Sequence, residues 1–245
     1  MSLFAPKDNS VKPLHITIAG SPGVGKTTLG ATFTKPAFIR TEEGTRYLTG
    51  DFLETPKLTE YQDVVEAIKE ASSNDDIGTI IIDSISNLEQ ALEDEVVRKD
   101  GASSINTACG GYGNGSRTVG YRMGQIRKLC NESNKNLVFL SHTVVEQYKA
   151  VDMEPFNILT LRLSKHSLPH FVDHVDCVAF MRLKLSDQRS GKEKVVLSTS
   201  KRELICHAHA TIMSKNRWGI TKPLECLEGT NPIVDYVRAM IKKGK

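Results

Sequence analysis

The residues Gly20-Ser21-Pro22-Gly23-Val24-Gly25-Lys26-Thr27 fit the spacing G-x-x-x-x-G-K-[ST], and Thr28 follows directly. Glycines so placed let a backbone wrap closely round phosphate oxygens, and a following helix adds its positive N-terminal end. In such a loop Lys26 reaches the β- and γ-phosphates of a nucleotide, while the Thr27 hydroxyl ligates Mg²⁺. The chemistry implied is the binding of ATP with Mg²⁺. Asp83 ends the apolar run GTIIID (78–83), where a carboxylate serves as the metal's partner across from the loop.

Hydrolysis needs a further group to orient or deprotonate water. Glu42 and Glu43 follow the second apolar run, in Ile39-Arg40-Thr41-Glu42-Glu43-Gly44, and either carboxylate suits that role. Two solvated acids at a turn is the competing account. His142 closes NLVFLSH (136–142), where an imidazole would feel the γ-phosphate unless it is a structural histidine.

These residues have to be positioned by the elements around them. LHITIAG (14–20) reads as a strand entering the glycine loop, and GKTTLGATF (25–33) as the helix leaving it. AFIR (37–40), GTIIID (78–83) and NLVFLSH (136–142) read as buried strands, each a short apolar run of the kind a parallel sheet covers on both faces. Helices are predicted over 59–73, from Ser86 to Lys99, and from Tyr121 to Ser133. Segments 101–120 and 143–165 read as long loops, the first mobile because it is rich in Gly, Ser and Asn. Strands are expected at 175–183, 194–200 and 204–213, with an antiparallel hairpin among them, before a basic amphipathic helix at 233–245. Strands alternating with helices specify a largely parallel sheet with helices on both faces.

At 245 residues the chain suits one large α/β domain (14–245) behind a polar arm (1–13). No run approaches the roughly 18 apolar residues of a membrane span, so no membrane association is expected. Cys109, Cys130, Cys177, Cys206 and Cys226 are odd in number and lack CxxC pairing, which reads as reduced cytosolic thiols. A net charge of +3 is too small to signal nucleic-acid binding, so any such argument is local. Between Arg98 and Lys128 stand Arg98, Lys99, Arg117, Arg122, Arg127 and Lys128 against the single acid Asp100. With Tyr112 in the glycine-rich segment, they offer phosphate contact and base stacking to a single strand. A mobile basic loop that is merely solvated is the other reading.

In order along the chain, GSPGVGKTT (20–28), FIRTEEG (38–44), TIIIDSISNLE (79–89), GGYGNG (110–115), VFLSHT (138–143), LRLSKHSLPHFVDHVDCVAF (161–180) and SKNRWG (214–219) resemble one family. It is the phage nucleotide-binding proteins with a lone RecA-like core, encoded among single-strand-annealing recombination genes. The resemblance implies an α/β fold with a RecA-like P-loop NTPase core. In that core a mostly parallel sheet is flanked by helices, and an antiparallel strand hairpin lies toward the C-terminus. It also implies that the Gly20 strand neighbours the His142 strand, which neighbours the Asp83 strand. Glu42 falls on the water-activating position and His142 on the sensor position. Arg40 stands where relatives often have Asp, and Glu43 adds a second acid. Lys215 and Arg217 match the K-x-R pattern that ring-forming relatives insert into a neighbour's ATP site.

In RecA-like proteins the loops at these two chain positions face the DNA channel, which favours Tyr112, Arg117, Arg122 and Arg127 as DNA contacts. Lys149, Arg162 and Lys165 are weaker candidates. The expected activity is ATP hydrolysis stimulated by single-stranded DNA, used in annealing or strand exchange. The expected assembly is a homo-oligomeric ring or filament in the host bacterial cytoplasm, with a phage single-strand-binding protein as a candidate partner. A DnaB-like helicase or translocase motor, or a switch ATPase acting on a protein, are the alternatives.

Overall fold

The structure is a computed structural model that describes residues 12–149, 153–190 and 193–243. The arm expected at 1–13 therefore lies outside the described residues except for Lys12 and Pro13.

The chain opens with β1 (His15–Gly20), α1 (Lys26–Gly30), β2 (Pro36–Arg40), β3 (Leu53–Glu54), α2 (Tyr61–Ser73), β4 (Thr79–Asp83) and α3 (Ile85–Asp100). A 3₁₀ turn (Ala108–Gly110) leads to α4 (Asn114–Asn131), β5 (Asn136–Ser141), β6 (Thr143–Tyr148), β7 (Phe156–Leu161) and α5 (Leu168–Val172). The last elements are β8 (Cys177–Ser190), β9 (Glu193–Ile205), β10 (Lys215–Asn216), β11 (Leu224–Cys226) and α6 (Pro232–Lys243).

The main sheet runs β11-β9-β8-β1-β5-β4-β2-β3, with β10 against β8. Pairings from β8 through to β3 are parallel, and β9, β10 and β11 add antiparallel pairs at one side. This is the mixed, mostly parallel α/β arrangement the sequence implies. The Gly20 strand does neighbour β5, which in turn neighbours the Asp83 strand.

Alternation along the strands explains why both faces are apolar. Ile80 and Ile82 of β4 join Leu137, Phe139, Val178 and Phe180 in one core, covered by Val64 and Ile68 of α2, Leu88 and Leu92 of α3, and Val119, Met123 and Ile126 of α4. Ile81 points the other way and packs with Ile16, Ile18, Val138 and Leu140 under Leu29 of α1 and Ile233 and Val237 of α6. The parallel register then carries the C-terminal ends of β1, β2, β4 and β5 to one edge. Gly20, Arg40, Asp83 and Ser141 arrive there together, in the crevice where α/β sheets bind ligands.

Three expectations need correction. The segment 101–120 is not a loop throughout: α4 begins at Asn114, and Val119, Met123, Ile126 and Cys130 form its buried stripe. Its glycines serve close packing, since a Cβ on Gly120 would lie 2.5 Å from the His166 Cβ. The segment 143–165 contains the antiparallel hairpin β6–β7, paired from Thr143↔Leu161 to Tyr148↔Phe156. Finally, 194–200 and 204–213 do not form separate strands. β9 runs through the polar stretch Lys201-Arg202-Glu203 and stops at Ile205, and the chain then turns. Asn216 ties that turning segment: its amide donates to the carbonyls of Cys206 and Ile220 and accepts from the N–H groups of Trp218 and Ile220.

Candidate active site

The glycine loop sits between β1 and α1, as its sequence requires. Gly25 caps α1 with φ 104°, a left-handed value that favours glycine. Ser21, Pro22, Gly23 and Val24 form the turn before it, and Thr28 lies in the first turn of α1. The buried Lys26 ammonium donates to the carbonyls of Gly20 and Ser21 at 2.9 and 3.0 Å. Burial pushes it below the usual lysine value, against the opposing pull of Glu42 and Asp83.

Thr27 and Asp83 meet at the base of the loop, the Thr27 hydroxyl donating to Asp83 Oδ2 at 2.9 Å. Asp83 Oδ1 is buried and has no hydrogen-bond partner among the described residues. Gly44 closes the third side, where a Cβ would stand 2.7 Å from Asp83 Oδ2 and 3.1 Å from Thr27 Oγ1. An orphaned carboxylate oxygen, a hydroxyl and a wall without a side chain fit a small oxygen-seeking cation such as Mg²⁺. Burial, and then the Glu42 carboxylate, push Asp83 up to about 7, a cost that a cation at this point would relieve.

The structure separates the two candidate acids. Glu42 turns inward, where its Oε2 accepts from His142 Nε2 at 3.0 Å and from the Asn87 side-chain amide. Burial acts to raise the Glu42 carboxyl, yet His142, Asp83 and Lys26 outweigh it and hold the group below its usual value. Glu43 turns outward and pairs with Arg40 at 2.7 Å, its side chain 63% exposed. Arg40 also binds Glu54 at 3.3 Å. The arginine thus explains why Glu42, and not Glu43, bonds to His142 and Asn87. A cleft of about 400 Å³ joins Pro22, Lys26, Thr27, Thr28, Glu42 and His142, with Glu43 and Gly44 at its edge.

Two participants went unread in the sequence, Asn87 and Gly44. Asn87 stands in the first turn of α3, capped by Ser84, which places its amide back over the end of β4. Its Oδ1 in turn accepts from Arg162 at 2.9 Å. The available signal was Ser84 as a helix cap directly after Asp83, which puts Asn87 in the first turn of the helix leaving the strand end.

Lys215 and Arg217 lie far from this cleft in their own chain. β10 pairs with Cys177 and Val178 of β8, level with Ile16, whereas the phosphate loop begins level with Met181. The expected rigid strand before them is absent and Arg217 falls beyond β10, so they are held otherwise. Lys215 donates to the carbonyl of Asp173 at 3.0 Å, and Arg217 pairs with Asp176 at 3.3 Å.

The expected DNA contacts are not brought together. Tyr112 is 95% exposed, and Arg117 is exposed one helical turn into α4. Arg117, Arg122 and Arg127 are five residues apart on α4, so about 140° separates each from the next. Arg122 turns to Glu95 at 3.3 Å and lies over the Tyr61 ring. Arg127 buries its Nε and acts electrostatically on His15 and His170. Arg98 pairs with Glu60, and Lys99 with Glu60 and Glu95, so acids from outside the basic window neutralise much of it.

The described residues contain no helix long and apolar enough to cross a membrane. No curated protein matches the chain. Among solved structures it is similar to a KaiC-like protein from the hyperthermophilic archaeon Pyrococcus horikoshii OT3. That likeness is 15% in sequence identity with a TM-score of 0.49, over 90% of this chain and 88% of that one. The profile of the AAA domain family matches residues 12–218, most of the sequence. With its glycine loop, Lys26, Thr27 and Asp83 gathered on one sheet edge, the chain belongs to the AAA domain family and is a nucleotide-binding P-loop NTPase.

Proposed function

We propose that the chain is an ATPase that binds single-stranded DNA and promotes annealing or strand exchange in phage recombination, working as a ring or filament in the host bacterial cytoplasm. The observation that carries this reading is the connection between Glu42 and the molecule's exposed features. Glu42 binds His142, and the β6–β7 hairpin starts at the very next residue. Glu42 also binds Asn87, which accepts from Arg162 where the chain leaves that hairpin, beside His142 at its base. Val145 and Tyr148 on the hairpin are exposed, as is Tyr112 beside α4. A strand bound along these features would therefore touch the elements that orient the water-activating acid.

In hydrolysis the loop from Gly20 to Thr28 holds the triphosphate, with Lys26 against the β- and γ-phosphates. Glu42 takes a proton from the attacking water as its oxygen bonds to the γ-phosphorus and the bond to the bridging oxygen of ADP breaks. His142 fixes the Glu42 carboxylate beside the γ-phosphoryl group that is transferred to water. Thr27 and Asp83 would hold Mg²⁺, which would supply charge neutralisation for the phosphate oxygens.

Lys215 and Arg217 stand at the opposite end of the sheet from their own phosphate loop, so they act on a neighbouring subunit's γ-phosphate. A phage single-strand-binding protein is a further partner on this reading. Steady-state ATP turnover with and without single-stranded DNA tests the proposal, and several-fold stimulation is expected. Absence of turnover removes the ATPase reading, and turnover indifferent to DNA removes the DNA half. For the fingers, inactive Arg217→Ala and Lys26→Ala proteins should regain activity when mixed. No rescue in demonstrated mixed oligomers returns Lys215 and Arg217 to structural roles.

A further inference from the structure

The γ-phosphate end of the site is fixed by Lys26 of the loop itself and by Asp83, Glu42 and His142, which follow β4, β2 and β5 on one side of β1. In the sheet order the other side of β1 is occupied by β8, then β9, then β11. A triphosphate lying across Gly25 to Thr28 with its γ end toward β5 must leave the loop toward these strands. A second cleft, of about 210 Å³, opens there and shares Gly25 and Thr28 with the first. Its volume is below that of a site for a whole drug-sized ligand and suits one flat ring system.

The cleft is built from anchored parts. Thr28 and Leu29 of α1, with Thr32 just beyond it, form one wall, Met181 of β8 lies behind, and the turn 227–230 forms the other wall. That turn is closed by Thr230, whose N–H and hydroxyl both donate to the Leu227 carbonyl, at 3.2 and 3.0 Å. The buried Asn231 ties it to the segment that follows α1, donating to Thr32 Oγ1 at 3.1 Å. Leu227 is 62% exposed, an apolar side chain at the rim with little protein covering it.

Arg202 stands at the junction of the two clefts. A Cβ on Gly25 would lie 3.4 Å from its Nε and 3.5 Å from its Cζ. Its neighbours in β9 are committed elsewhere, Glu203 to Arg182 at 2.8 Å and Lys201 to Glu225 at 3.3 Å. Arg202 is exposed and forms no ion pair among the described residues, so an uncommitted planar cation borders the phosphate loop.

We infer that this cleft holds the nucleoside, with the base stacked on the Arg202 guanidinium and covered by Leu227. The inference rests on the ATPase reading and extends it to the end of the nucleotide that does not react. A guanidinium offers a flat, weakly hydrated face to an aromatic ring, which an ammonium does not. Because the Arg202 side chain makes no hydrogen bond or ion pair among the described residues, its truncation leaves the fold intact.

Calorimetric titration with Mg²⁺ separates the base from the phosphates, using ATP and inorganic tripolyphosphate as the two probes. Wild-type protein should prefer ATP. Arg202→Ala should weaken ATP about tenfold and leave tripolyphosphate unchanged, and Arg202→Lys should resemble the alanine variant. Leu227→Asp should also weaken ATP alone. An equal loss for both probes would make Arg202 a phosphate ligand, and full rescue by lysine would make charge the whole effect; either result overturns the stacking assignment. A loss in Arg202→Ala with none in Leu227→Asp overturns it too, moving the base to the open face along Ser21 to Val24. Equal wild-type affinity for both probes removes the nucleoside cleft while leaving the phosphate site standing. A wild-type protein that binds neither probe removes the nucleotide reading itself.

Discussion

The two glycine-rich stretches of the chain, around the phosphate loop and around the start of α4, look alike in composition and do opposite work. At Gly25 the backbone adopts φ 104° at the head of α1, and the space beside it is a cleft. At Gly120 the backbone is helical and the space is filled, because α4 lies against the chain at His166. One region keeps side chains out so that a ligand enters; the other keeps them out so that two elements touch. Chemistry and stability should accordingly separate when each region is altered.

The largest effect should come from Glu42→Gln, which keeps the shape of the carboxylate but cannot take a proton. ATP turnover should fall about 10²–10³-fold while ATP affinity and melting temperature hold. Glu43→Gln, facing Arg40 instead, should retain most of its turnover. Measuring both variants at saturating ATP decides the assignment, and a dead Glu43→Gln protein would reverse it.

Gly120→Leu should do the converse. Forcing a side chain into the α4 contact should cost about 3 kcal/mol, lowering the melting temperature by about 6–12 °C. The folded fraction should still bind ATP as the wild type does. An unchanged melting temperature would mean that α4 yields easily at this contact.

A smaller effect sharpens the contrast, since Asp83 belongs to the site yet weighs on the fold. Its carboxyl titrates near 7 in the folded chain, well above the ordinary 3.8. Between those values the folded state holds a proton that the unfolded state has lost, so stability falls as pH rises from about 4 to 7 and then levels. Asp83→Asn has no such decline. In chelator without nucleotide it should melt a few degrees higher than wild type near pH 8, with the gain shrinking toward pH 5. A gain independent of pH would trace the effect to packing instead of charge.

How much of this was legible follows from how local each determinant is. The phosphate loop and Asp83 were readable because strand, turn and helix succeed one another within a few residues. The choice between Glu42 and Glu43 was not, since it depends on Arg40 reaching Glu54 from another strand. The surroundings of the basic window were hidden for the same reason: Glu60 and Glu95 enter it only in three dimensions. β6 escaped notice because its outer residues, Val145 to Tyr148, are exposed and lack a buried face to impose alternation. In β9, Lys201-Arg202-Glu203 read as a break between strands, although sheet pairing continues through it with Leu204, Glu203 and Arg202 opposite Leu224, Glu225 and Cys226.

The sheet order also dictates when the site can first exist during synthesis. β2 and β4 pair with each other, so the strands that precede Glu42 and carry Asp83 can associate once the chain reaches residue 83. β1 has no partner among them; its neighbours are β5, with His15 opposite Leu137, and β8, with Ile16 opposite Cys177. At ribosomal rates of about 5–20 residues per second, the apolar β1 waits roughly 6–25 s for β5 to be made. Throughout that interval the glycine loop has been translated but hangs from an unpaired strand, away from its metal-side carboxylate. Nucleotide therefore cannot template early folding. β5, arriving between its two neighbours, is the strand whose emergence turns separate halves into a binding site.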